Sequence, residues 1–178
     1  MNNHNFITEI QKNLKDIDNT KVNKAVFLIK KMSKKNKIVL VGNGASAAIS
    51  SHLAIDFTKA AGVRAVNFNE SSLLTCFSND FGYENWVKKA LDYYLLPKDI
   101  VILVSSSGKS KNVVNAAKYL KKKDNKLITL TGLNINNPLK KHGEINFFVH
   151  SKNYNVVESV HLVILLGIVE KLIKLKNI

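Results

Sequence analysis

The chain has 178 residues, 46% of them hydrophobic, and a formal charge of +14, which is enough apolar material for one domain with a full core and too little length for two. A single cysteine, Cys76, excludes an intrachain disulfide framework, no apolar run reaches the ~20 residues of a membrane span, and the polar start lacks the apolar stretch of a secretory signal, so a cytoplasmic protein is expected. All but one of the 27 basic residues are lysine, with Arg64 the lone arginine, which suits solvated helix faces better than base reading and argues against nucleic acid as a partner.

The first expected element is a helix over 5–34, with Ile7, Ile10, Leu14, Ile17, Val22, Ala25, Val26 and Ile29 at helical spacing. A strand over 37–44 follows, then a helix over 45–61, a strand over 64–68, and a helix over about 71–95 that Asp80, Phe81 and Gly82 can interrupt. Beyond it come a strand over 99–108, a helix over 110–123, strands over 126–132 and 144–151, and a helix over 154–176. The strands are near-continuous apolar runs, as expected when both faces of a sheet are covered. The alternation predicts an α/β fold, a doubly wound five-stranded parallel sheet in the flavodoxin-like order 2-1-3-4-5. It forms one domain over 1–178, with an N-terminal helical segment (1–35) and an α/β core (36–178). The last helix is apolar around much of its circumference, with Val160 and an almost unbroken run from Leu162 to Val169. This points to a bundle in which the N- and C-terminal helices meet another copy of the chain.

In such a sheet a ligand sits beyond the carboxyl ends of the strands, so the loops after the first and third strands matter most. The first, GNGASAA, fits the dinucleotide pattern G-x-G-x-x-A through Gly42, Gly44 and Ala47. Any tight strand-to-helix turn favours small residues, however, and the acid expected about 20 residues later to hold a ribose has only Asn67, Asn69 and Glu70 as candidates. The other loop, VSSSGKS, ends like a nucleotide-binding P-loop, yet the required earlier glycine is replaced by Leu103 within the strand, which argues against nucleoside triphosphate chemistry. What remains is Ser105, Ser106, Ser107 and Ser110 at the start of a helix. One serine caps a helix; four hydroxyls with free N–H groups suit a compact dianion, a phosphate monoester.

GNGASAA, NDFGYE, SSSGKSKNV and ITLTG, in this order and spacing, closely resemble the sugar isomerase (SIS) domain and, within it, the phosphoheptose isomerases. The resemblance covers nearly the whole chain. It implies aldose–ketose isomerisation of a phosphorylated sugar, sedoheptulose 7-phosphate, for heptose supply to a surface glycan, by a homotetramer with clefts shared between subunits. It makes Ser105, Ser106, Ser107 and Ser110 the phosphate cradle, Asn43, Gly44 and Ser46 the loop over the sugar, and Asn79 with Asp80 the pair facing its hydroxyls. His52 and Asp56, at i and i+4 on one helix face, correspond to the family's histidine and catalytic glutamate. Glu158 falls where the family has glutamine.

Eight residues further on, the family's proton-transferring histidine is replaced by Leu166, while His161 lies one turn past Glu158. Either the proton work is redistributed among Asp56, Glu158 and His161, or the chain acts on another phosphosugar or has lost activity. No cofactor is required, although His52, Asp56 and Glu158, with His161, are zinc-type ligands. The rival class is a non-catalytic phosphosugar-binding or scaffolding protein, like the replication-initiator-associating relatives of this family. A dinucleotide-dependent oxidoreductase is the third reading.

Overall fold

Five parallel strands, β1 (Ile38–Val41), β2 (Ala65–Asn67), β3 (Ile100–Val104), β4 (Lys126–Thr131) and β5 (Ile145–Phe148), pair in the order β2-β1-β3-β4-β5 in the computed structural model, which describes residues 3–176. The register is continuous across the centre: Val39 lies opposite Val101, and Val101 opposite Leu127. This is the expected order, with each strand shorter than its apolar run because the flanking residues turn away into loops.

Side-chain alternation divides the core into two layers. Ile38, Leu40, Ile100, Ile102, Ile128, Leu130, Ile145 and Phe147 face α2 (Asn19–Lys30), α3 (Ala45–Lys59) and α7 (Tyr154–Lys176), with α1 (Asn3–Lys15) at the rim. Val39, Val41, Val101, Leu103 and Leu127 face α5 (Trp86–Tyr94) and α6 (Lys111–Leu120), with α4 (Ser71–Phe81) beside them.

Two expected helices are each divided. The segment 5–34 breaks at Asp18, whose extended backbone (φ −72°, ψ 98°) lets its carboxylate accept from the N–H groups of Thr20 (2.9 Å) and Lys21 (3.3 Å) and so start α2 afresh. The segment 71–95 breaks at Gly82, whose φ of +80° ends α4. The surplus of lysine also has a local cause: Lys12, Lys15, Lys30, Lys59, Lys118, Lys174 and Lys176 occupy last turns of helices, where carbonyl ends favour cations.

The apolar breadth of α7 is largely used within the protomer. Val156, Val157, Val160, Ile164, Leu165, Ile168, Val169 and Leu172 are buried against α1, α2, α3 and β4. Val163 and Leu175 on α7, Phe27 on α2 and Ile55 on α3 remain exposed.

At the amino end of the sheet Asp99 is fully buried and accepts from Asn36 Nδ2 (3.0 Å), Lys37 N (3.0 Å), Lys37 Nζ (2.6 Å) and Leu96 N (2.9 Å). Burial raises the carboxyl's pKa, but the Lys37, Asn36 and backbone donors outweigh it and hold it below the usual carboxylate value. A pKa lower in the folded than in the unfolded chain gives stability that is present above about pH 4 and is lost as pH falls through the folded value. Asp99→Ala is expected to cost about 3 kcal/mol at pH 7. Urea melts of parent and variant should converge as pH drops below 4.

Candidate functional site

The carboxyl end of β3 runs into a bend over 105–110 that is fixed mostly by backbone. Ser105 N donates to Leu130 O (3.0 Å), and Gly108 N donates back to Ser105 O (2.9 Å). Gly108 sits at φ +60°, and a Cβ there would collide with Asn137 Oδ1, so this corner requires glycine. Ser110 stands at the N-cap of α6 but its side chain makes no capping hydrogen bond. Ser105 Oγ instead donates towards Ser110 Oγ at 3.5 Å, and Ser107 Oγ accepts from Lys109 N at 3.2 Å. Hydroxyls therefore gather in front of a helix start that no serine side chain caps, the arrangement in which N–H groups can meet an anion.

The loop after β1 is tied to the same helix start. Asn43 Nδ2 donates to Asn112 Oδ1, and Asn112 Nδ2 donates back to Asn43 Oδ1, both at 3.0 Å, while Tyr83 Oη donates to Asn43 Oδ1 at 3.2 Å. Asn112 is buried, so this reciprocal amide pair sets the position of the loop. Gly42 lies so close to the first turn of α3 that a Cβ would come within 2.5 Å of Ser46 O, and Gly44 enters that helix at φ +56°. From α7, half-buried Glu158 reaches the bend, where its Oε1 accepts from Ser106 Oγ at 3.4 Å.

The SIS domain family model matches residues 4–132. The chain belongs to the SIS domain family. A phosphoheptose isomerase of Buchnera aphidicola (from Schizaphis graminum) is 30% identical to it over 93% of this chain and 89% of the relative. Among solved structures, a phosphoheptose isomerase from Francisella tularensis superposes with a TM-score of 0.86 at 20% identity, covering 96% of this chain and 95% of the other. One from Neisseria gonorrhoeae superposes with a TM-score of 0.85 at 24% identity, covering 95% and 93%. These two likenesses carry the fold.

Not every expected residue of this SIS domain reaches the bend. His161 does not share the cleft with Glu158: it is completely buried, with Nε2 3.1 Å from Thr131 O, and burial lowers its pKa to about 4. Three residues along a helix turn a side chain about 60° away from its predecessor, and here that rotation carries it from the cleft into the core. A side chain with no access to the cleft cannot take a substrate proton. Asn79 Nδ2 donates to Asp80 Oδ1 (3.0 Å), and both residues stand exposed on the last turn of α4. Asp80 borders a cleft with Phe77, Phe81, Tyr93 and Tyr94, away from the serines.

His52 Nε2 and Asp56 Oδ2 pair at 3.1 Å on the outer face of α3. Glu158 does not join them: among the described residues no group of three or more His, Cys, Asp or Glu side chains could hold a metal ion. The expected zinc-type set of His52, Asp56 and Glu158 is therefore not assembled within one chain. Leu166, on the α7 face packed against the core, adds no ligand. Asn112 and Tyr83 lie within the SSSGKSKNV and NDFGYE stretches but take no role from sequence; the structure adds them to the site. The one available signal was an asparagine in the first turn behind the serine run.

Proposed function

We propose that this SIS domain is a phosphosugar aldose–ketose isomerase of the phosphoheptose isomerase type, acting on sedoheptulose 7-phosphate. The observation that carries this reading is the set of hydroxyls in front of the α6 start that no serine side chain caps, with Glu158 held against it. The phosphate sits in the bend, taking hydrogen bonds from Ser105, Ser106, Ser107 and Ser110 and from the first N–H groups of α6. Asn43, Gly44 and Ser46 close over the sugar.

Isomerisation removes a proton from the carbon beside the carbonyl, passes through an enediol, and returns a proton to the neighbouring carbon. Among the described residues Glu158 is the carboxylate hydrogen-bonded to the bend, and it takes the role of base. Asp56, oriented by His52, is the second acid–base group and reaches the cleft from another copy of the chain. The His52–Asp56 pair lies on the outer face of α3, open to a second copy. The assembly is a homotetramer. Light scattering at micromolar concentration is expected to give four times the 19.9 kDa chain mass, and a single chain mass would remove Asp56 from the reaction.

No helix among the described residues is long and apolar enough to cross a membrane. Proton NMR of sedoheptulose 7-phosphate incubated in heavy water tests the activity. Aldose product carrying deuterium from solvent is the expected result. Tight binding without conversion would instead identify a phosphosugar-sensing protein, the reading that Leu166 favours.

A further inference from the structure

Four hydrogen bonds converge where β4 ends. Thr131 O accepts from Val149 N (2.9 Å) and lies 3.1 Å from His161 Nε2; Gly132 N donates to Ser106 O (2.9 Å); Leu133 N donates to Ser151 O (3.1 Å). Leu133 holds a φ of +57°, a left-handed conformation that a branched side chain disfavours, so its neighbours must impose this bend. Gly132 is pressed against α7, and a Cβ there would stand 2.6 Å from Val157 Cγ1. Val157 and His161 thus close on the bend over 131–133, and that bend carries the backbone bond to Ser106, whose hydroxyl donates to Glu158.

His161 is a costly way to fill this space. Its ring is fully buried and its Nδ1 has no partner among the described residues, a penalty that leucine or phenylalanine would avoid. What it supplies that they cannot is one directional N–H. A carbonyl as sole partner requires the tautomer with hydrogen on Nε2, and a pKa lowered to about 4 by burial keeps the ring neutral near pH 7.

We infer that His161 is a positioning residue: through Thr131 O it latches α7 to the end of β4 and so sets Ser106 and Glu158 in register for the phosphosugar. It touches no substrate atom. The inference rests on reading the serine bend as the phosphosugar site.

The test compares His161→Phe, which keeps a ring but has no N–H, with His161→Gln, whose amide nitrogen can stand where Nε2 stands. In the ligand-free protein, His161→Phe is expected to lower hydrogen-exchange protection of the Gly132 amide about tenfold, and to weaken sedoheptulose 7-phosphate binding by a similar factor. His161→Gln should restore most of both. A folded Phe variant that matches the parent, or Phe and Gln variants equally impaired, would reduce His161 to packing and overturn the inference. Should the Phe variant fail to fold, His161→Asn replaces it, since its amide nitrogen falls near Nδ1 and is expected to lose what Gln retains. If the parent itself binds no phosphosugar, the functional reading falls, while Gly132 exchange still decides the latch.

Discussion

Replacing Ser105, Ser107 and Ser110 together with alanine is expected to weaken sedoheptulose 7-phosphate binding about a thousandfold. A hydrogen bond to a charged group contributes about 1.5–3 kcal/mol, so loss of three exceeds 4 kcal/mol even at the lower end. The fold should survive, because these hydroxyls bond within the bend: Ser105 to Ser110, and Ser107 to the amide of Lys109. Backbone bonds from Ser105 N and Gly108 N hold the bend's shape without them. Calorimetric titration measures the affinity and a thermal melt checks the fold. Unphosphorylated sedoheptulose is the control, and its weak binding should be indifferent to the substitutions. Unchanged affinity for the phosphorylated sugar would place the phosphate elsewhere on the molecule.

Glu158→Gln is expected to lower kcat by about 10²- to 10⁴-fold, the usual contribution of a positioned acid–base group, while changing the dissociation constant only a few-fold. Glutamine keeps the side chain's length and an oxygen to accept from Ser106 Oγ, so the geometry persists and only the proton-accepting capacity is lost. The relevant readings are turnover by NMR and binding by titration on the same preparation. A Gln variant with parental kcat, alongside an inactive Asp56→Asn, would transfer the role of base to Asp56. Asp56→Asn is itself expected to impair turnover less than Glu158→Gln, since Asp56 lies on the outer face of α3 and on the proposed function acts only from another copy of the chain.

The sheet was legible because its strands are buried on both faces. Runs such as Ile100 to Val104 have no polar alternation, and their spacing between helical segments leaves few parallel orders open. The bend was legible for two reasons: Leu103 occupies the place of the glycine a P-loop needs, and four serines exceed what one helix cap uses. The break at Asp18 was encoded in its own letters, an aspartate two residues before a threonine. It was obscured by Ile17, which continues the apolar spacing across the gap.

Other features depend on distance through the chain rather than on local pattern. Asn43 and Asn112 are 69 residues apart and Tyr83 is 40 from Asn43, so no local period joins them. His161 shows the limit most clearly. Its spacing from Glu158 suggests a shared helix face, yet helical spacing cannot say which side of that face meets the core. Only the packing of α7 on β4 decides that Glu158 looks onto the bend while His161 lies beneath it.

On the proposed function, a phosphate monoester is gripped where β3 gives way to α6. Isotope-labelled protein titrated with sedoheptulose 7-phosphate, with backbone amide shifts followed residue by residue, tests it most directly. The expected result is that Ser106, Ser107, Gly108 and the amides of residues 111–113 move furthest, and that unphosphorylated sedoheptulose leaves them in place. Shifts concentrated on another part of the molecule, or the same shifts with the unphosphorylated sugar, would contradict it.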